Sequence, residues 1–256
     1  MRVTFLGTGT SSGIPIIGCD CPVCASRDSR NKRRRASIYV EAQEACILVD
    51  TSPDFREQAL AYKLPRIDAV LFTHSHADHI FGFDDIRRFN TMQKAVIPAY
   101  GSKQTIADLK RIFDYVGTEE VEGLYRPRIE FMELEKKFTI NGAEIEVLDV
   151  QHGDNTVQGF LFRDGSGSFA YVPDCSDMPD EVVDKLKCID VMVLDALRYR
   201  PHKTHFTVER SVEFLRRIGA GQSYLIHMCH DLDHQETQDV LPEGISIAYD
   251  GLVLDW

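Results

Sequence analysis

Residues 73–79 read THSHADH, which sets His74, His76, Asp78 and His79 within six positions. The stretch follows Ala69–Phe72, an apolar run with the length and composition of a buried strand. His74 and His76 are two apart, so in an extended segment their imidazoles leave the same face and can share one cation. Asp78 and His79 come on the turn beyond and can reach a second cation beside it. A histidine-rich surface loop is the plain alternative. Three imidazoles and a carboxylate directly after a strand argue against it.

Four such groups are too few for two ions, since each wants at least about three protein ligands. The rest of the chain offers three more, each just after an apolar run: His152 in QHGD, Asp174 in VPDCSD and His227 in IHMCH. Taken singly, each could be a core histidine or a capping aspartate; beside THSHADH they read as the missing ligands. Asp174 is the natural bridge, because a carboxylate has two oxygens and can hold ions about 3.5–4 Å apart.

The same punctuation recurs along the chain. Short β-rich runs are expected at Val3–Leu6, Cys46–Val49, Ala69–Phe72, Ile145–Val150, Gly159–Phe162, Phe169–Val172, Val191–Leu194, Tyr224–Ile226 and Ile245–Leu254. Helical patterns are expected at Pro53–Tyr62, Asp84–Asn90, Gln104–Tyr115, Pro179–Lys187 and Val208–Ile218, the last with Thr207 as N-cap. Near-continuous apolar strands with helices between them predict an α/β chain. Two groups of such strands suggest sheet packed on sheet with helices outside. Residues 1–256 show no repeat and no Pro, Gly or Ser-rich linker, so one domain is expected.

The 256 residues carry a formal net charge of −11. That argues against stable binding of long nucleic acids by counterion release. No apolar run approaches the roughly 18 residues of a membrane span, and MRVTFLGTGT enters a strand pattern without the apolar core of a secretory signal. Seven cysteines, an odd and scattered set, fit a reducing cytoplasm better than a disulfide framework. The run Arg27–Arg35, RDSRNKRRR, has six bases against one acid. It could steer a phosphate-bearing substrate or simply be a solvated loop.

Three of the cysteines, Cys19, Cys21 and Cys24, crowd into GCDCPVC. A disulfide would leave one thiol over. Redox chemistry favours Cys-x-x-Cys at a helix start, which Cys21 and Cys24 match in spacing but Cys19 does not join. Three thiolates make three-quarters of a tetrahedral zinc site, with His230 in HMCHD the leading fourth ligand and Cys229 and His234 its rivals. A closed Cys3His zinc has no open position, so its work would be structural. Cys46, Cys175 and Cys188 are expected to pack as small apolar residues. GTGTSSG, residues 7–13, lacks the Lys-Ser/Thr ending of a P-loop; its small residues allow a close backbone approach to the metal site or a simple tight turn.

His-x-His-x-Asp-His followed at intervals by His152, Asp174 and His227 resembles the metallo-β-lactamase superfamily, and TFLGTGTSSGIPIIGCDCPVC resembles its PhnP-like phosphodiesterases. More distantly the chain is similar to ribonuclease Z. The resemblance implies an αβ/βα sandwich of two mixed sheets with helices outside. It assigns His74, His76 and His152 to one divalent ion and Asp78, His79 and His227 to the other, with Asp174 shared. It makes Asp50, which ends ILVD, a support behind the metal loop. It also favours His230 as the fourth ligand of a structural zinc.

Two bound divalent ions, Zn or Mn, would ionise a bridging water near neutral pH and hydrolyse a phosphodiester, small or cyclic and ribosyl- or nucleotide-like. Asp78, Asp174 and His205 are then the expected catalytic residues. The resemblance places His205, in PHKTHFTVERSV, at the cleft mouth, where it protonates the leaving oxygen or binds phosphate; His202 is the competitor. Ribonuclease Z-like processing, thioester or β-lactam hydrolysis and metal binding without turnover are the alternatives. The expected partner is a small phosphodiester, with a homodimer left open.

Overall fold

The computed structural model describes residues 1–256. Six strands follow one another into the first sheet: β1 (Arg2–Gly7), β2 (Ser37–Ala42), β3 (Ala45–Val49), β4 (Ala69–Leu71), β5 (Ile97–Gly101) and β6 (Ile129–Glu133). Seven more build the second: β7 (Lys137–Ile140), β8 (Ala143–His152), β9 (Asn155–Asp164), β10 (Gly167–Val172), β11 (Val191–Asp195), β12 (Gln222–Ile226) and β13 (Ile245–Ile247). The last strand, β14 (Val253–Asp255), returns to the first sheet beside β1. Both sheets are mixed. β1 to β3 run antiparallel and β3 to β6 parallel, while β7 to β10 run antiparallel and β10 to β13 parallel.

Period-two burial explains how the sheets stack. Ile47 and Val49 of β3 face a central core that also takes Phe160, Phe162, Phe169, Tyr171 and Val193 from the second sheet. The alternate residue Leu48 faces outward, under α2 (Phe55–Tyr62), α4 (Ile86–Gln93) and α5 (Lys103–Ile112). On the other side Met192 and Leu194 of β11 meet α6 (Asp180–Leu186) and α7 (Val208–Ile218). Each such side chain, fully buried, contributes about 1.5–3 kcal/mol. The expected αβ/βα sandwich is therefore the observed one. Three short helices complete it: α1 (Pro22–Ala25), α3 (Ala77–Ile80) and α8 (His234–Val240). No helix is long and apolar enough to cross a membrane.

Thr207 caps α7 as expected, its hydroxyl accepting from Arg210 N at 3.2 Å. The expected single strand Ile245–Leu254 is instead two, one in each sheet. Between them the chain turns at Gly251, φ +88°. Asp250 anchors that turn by accepting from Thr8 Oγ1 at 2.8 Å and Arg34 N at 2.7 Å. An apolar run across a sheet-to-sheet crossing looks continuous because both its ends are buried. Cys188 also departs from expectation: it is exposed, with φ +56°.

Candidate metal centre

The strand ends singled out above converge at one edge of the sandwich. Asp50 follows β3, THSHADH follows β4, His152 ends β8, Asp174 follows β10 and His227 follows β12. Gln158 N of β9 donates to Thr73 O at 3.0 Å, stitching the two sheets beside the site. Polar groups beyond the carboxyl ends of parallel strands line a cleft in many α/β folds.

Asp50 organises the first loop. It has no exposed surface, and its Oδ1 and Oδ2 accept from Thr73 N and Thr73 Oγ1, both at 2.9 Å. Oδ2 also accepts from His79 Nδ1 at 2.8 Å, which leaves Nε2 of that ring facing the cleft. A carboxylate behind a histidine sets its tautomer and aim. Asp50 and His227 both hold left-handed φ angles, +61° and +60°. Non-glycine residues seldom adopt that region, and such strain is kept where the surroundings impose it.

Asp174 lies at the centre, 2 % exposed. Its Oδ1 is 3.3 Å from His79 Nε2 and 3.5 Å from His227 Nε2. Its Oδ2 is 3.9 Å from His74 Nε2 and 3.8 Å from His152 Nε2. One oxygen thus faces each histidine set. Asp78 Oδ2 adds a donor 3.4 Å from both His79 Nε2 and His227 Nε2. The donor atoms of His74, His76 and His152 lie within 4.8 Å of one another, as do those of Asp78, His79 and His227. His76 is the exposed member, at the cleft mouth.

These residues fit two cations. His79 Nε2 and Asp174 Oδ1 are buried yet neither donates nor accepts a hydrogen bond, an uncommon state that a bound ion would relieve. Burial opposes charge on His79, but Asp174, Asp78 and Asp50 outweigh it and push its pKa well above the usual histidine range. Burial likewise opposes ionisation of Asp174, and His227 and His79 overcome it, holding the carboxyl well below its usual range. The surrounding field therefore favours a positive charge between these groups, supplied by a proton or by a metal.

His205 stands against this cluster. Its ring stacks on His227 with centroids 4.7 Å apart, and its Nε2 is 3.9 Å from Asp174 Oδ2. Its Nδ1 donates to Asp195 Oδ2 at 2.8 Å. Burial pulls the His205 pKa down, but Asp195, together with Asp174 and Asp78, outweighs it and raises it to about 9. The sequence reading passed over Asp195, which ends β11 and has no exposed surface. Its signal was the one that marked Asp50: an acid at the carboxyl end of a buried strand. The same Oδ2 accepts from Cys175 N at 2.9 Å, tying the loop of Asp174 to the loop of His205. The thiol of Cys175 turns away and donates to Asp177 O at 3.2 Å.

The cysteine cluster forms a separate corner. His230 Nδ1 lies 3.3, 3.5 and 3.6 Å from the sulfurs of Cys19, Cys21 and Cys24. Tetrahedral zinc with ordinary bond lengths sets sulfur and nitrogen about 3.6 Å apart. The four donors fit such an ion. The Cys24 N–H chiefly lowers the Cys21 thiol, to about 7, while burial pushes Cys24 up to about 11. The rivals lie outside this group of four: Cys229 Sγ accepts from Asp231 N, and the His234 ring packs edge-on against Tyr249, centroids 5.8 Å apart.

Most of the basic run is consumed by structure. Arg33, 1 % exposed, donates to Cys229 O at 3.1 Å and Leu232 O at 2.7 Å, clamping the turn that carries His230. Arg30 pairs with Asp28, Arg35 pairs with Asp54, and Lys32 Nζ donates to Cys24 O. The glycines of GTGTSSG approach this run rather than the metal ligands. A Cβ on Gly9 would lie 2.8 Å from Arg33 O, and Gly9 N donates to Arg34 O.

A sandwich of this topology, with two histidine and aspartate sets meeting on one carboxylate at its edge, defines a metallo-hydrolase of the β-lactamase fold. The sequence model of the β-lactamase superfamily domain matches residues 46–228, and the chain belongs to that superfamily. A relative from Porphyromonas gingivalis named octanoyltransferase is 34% identical over 98% of the chain, which spans about half (51%) of that protein's length. Among solved structures, a diphosphatase from the PhnP family is 39% identical at a TM-score of 0.91, covering 100% of this chain and 97% of its own. Zn-bound PqqB from Methylobacterium extorquens, 22% identical, shares the fold over the full length of both chains at a TM-score of 0.83.

Proposed function

We propose that the protein hydrolyses a small or cyclic phosphodiester, ribosyl- or nucleotide-like, with two divalent ions, Zn or Mn, in the cleft. The carrying observation is Asp174, whose two oxygens face His74 and His152 on one side and His79 and His227 on the other. When bound, such ions supply an ionised water and a Lewis acid for phosphoryl oxygens. Asp78 and Asp174 hold the negative charge that keeps the cations in place. Asp50 fixes the ring of His79 from behind. His205, oriented by Asp195, holds a proton at Nε2 for the departing oxygen, and general-acid help of this kind is worth about 10²–10⁴-fold. The likeness to the PhnP-family diphosphatase supports phosphorus as the reacting centre.

The Cys3His corner takes one zinc as a structural clamp and stays out of the reaction. The chain's seven free thiols fit a reducing compartment, the cytoplasm. The net charge of −11 favours a small partner over a nucleic acid. One domain over 1–256 accords with the central core shared by both sheets.

Carbonyl hydrolysis of an acyl ester or thioester is the second reading, favoured by the name of the Porphyromonas gingivalis relative. Assays of Mn- and Zn-loaded protein separate the two. Cleavage of bis-p-nitrophenyl phosphate and 2′,3′-cyclic AMP, lost on chelation, is expected. Turnover of p-nitrophenyl octanoate alone would replace the phosphodiester reading with the carbonyl one.

A further inference from the structure

The loop that follows β11 carries two histidines, of which only His205 has a role above. The loop is held at its base, where Leu197 N donates to Phe206 O at 3.1 Å and Val208 N to Arg198 O at 3.0 Å. Arg200 ties its outer part to Asp231 at 2.8 Å. At the tip the ring of His202 lies 5.2 Å from that of His205, centroid to centroid, tilted by 43°. His202 is exposed, one ring further from Asp174 than His205.

The two rings differ in where they carry a proton. His205 Nδ1 donates to Asp195. His202 Nδ1 instead faces Thr204 N at 3.3 Å and Thr204 Oγ1 at 3.1 Å. A backbone N–H can only donate, so Nδ1 of His202 is the acceptor and the ring proton sits on Nε2. Thr204 is the ring's only hydrogen-bond partner, which leaves that N–H free. Burial, followed by His205 and Arg198, pushes the His202 pKa below the usual histidine range. The ring thus presents an Nε2–H donor beside His205.

We propose that His202 is a substrate-binding residue whose Nε2–H donates to a non-bridging oxygen of the phosphoryl group, while His205 serves the leaving oxygen. The two histidines are then partners with divided work. No proton leaves His202 during turnover. Its donor gains most from an anionic oxygen, since hydrogen bonds to charged groups are the stronger ones. The inference rests on the phosphodiester reading for its substrate but has its own measurement.

The test compares His202→Ala, His202→Gln and His202→Asn in Mn-loaded protein, with metal content and melting temperature as controls. A glutamine amide can place its N–H near the position of Nε2, whereas asparagine places it nearer Nδ1. His202→Ala should raise KM for 2′,3′-cyclic AMP about 10- to 100-fold and weaken calorimetric binding of inorganic phosphate by a similar factor. The kcat should change less. His202→Gln should recover most of both losses and His202→Asn little. Unchanged phosphate affinity in His202→Ala, or a glutamine variant no better than alanine, would overturn the proposal. Wild-type protein inactive on every phosphodiester would instead remove the parent reading, with phosphate calorimetry still deciding the role of His202.

Discussion

Two metal-competent regions adjoin in this molecule, and they are built in opposite ways. In the cleft, buried histidines and carboxylates meet on Asp174, with His76 and His202 opening toward solvent. In the corner, three thiols gather around His230 Nδ1 at 3.3 to 3.6 Å, four donors suited to one closed tetrahedral ion. One short segment serves both, because His227 faces Asp174 while His230, three residues on, faces the sulfurs. Arg33 locks the turn between them by binding the carbonyls of Cys229 and Leu232. Saturated coordination gives a clamp, and shared, incompletely satisfied coordination gives a place for chemistry.

The contrast breaks first at its centre. Asp174→Ala removes the carboxylate whose two oxygens face the two histidine sets, and phosphodiester turnover should fall about 10³-fold or more, the scale of several kcal/mol of transition-state charge stabilisation. Steady-state kinetics on bis-p-nitrophenyl phosphate give the answer, and a fall below tenfold would deny Asp174 its bridging place. Cys21→Ser attacks the other side of the contrast. It should lower unfolding free energy by about 3 kcal/mol or more, since structural zinc binding is itself folding energy. Denaturant titration would contradict the clamp if the midpoint held steady.

Asp195→Asn sharpens the comparison within the cleft. The amide no longer orients and charges His205, so kcat should drop about 10- to 100-fold, the usual effect of losing a carboxylate behind a functional histidine. Metal content should stay at the wild-type level. Loss of metal instead would make Asp195 part of the ion site rather than a support for His205.

The smallest effect concerns the junction held by Asp250, which links the first strand's end to Arg34. Burial raises its carboxyl to about 7, partly offset by the Arg34 N–H. Between about pH 4 and 7 the folded state therefore holds a proton that the unfolded chain has released. Raising pH through that window removes stability, and above about 7 the loss is complete. Relative to Asp250→Asn, the wild type should lose about 2 kcal/mol between pH 5 and 7, measured by urea unfolding. Parallel curves for the two proteins would show that Asp250 is already ionised when folded.

The cleft was largely legible because its candidate ligands obey local rules. THSHADH is a cluster in one stretch, and His152, Asp174 and His227 each end a buried apolar run. Asp195 escaped although it ends a buried strand as Asp50 does, because the chain pattern does not tell that its carboxylate turns toward a histidine ten residues on. Thr207 and Gly219 mark the bounds of α7 as helix punctuation predicts. β2, β5, β6 and β7 were missed; in β6 and β7 the alternation is diluted by Glu130, Glu133 and Lys137 on half-exposed edges, and Pro98 interrupts the β5 pattern. Ile245–Leu254 was read as one strand because hydrophobicity does not record which sheet receives it. In sequence His205 led and His202 competed for the same role. The partners that separate them, Thr204 two residues along for one and Asp195 on β11 for the other, do not show in the residue pattern.

Metal stoichiometry tests the central claim most directly, by elemental analysis of wild-type protein, Asp174→Ala and Cys21→Ser purified identically with Mn and Zn present. The account predicts three ions per wild-type chain, one zinc in Asp174→Ala, and two ions with loss of that zinc in folded Cys21→Ser. Three ions retained by Asp174→Ala would contradict it.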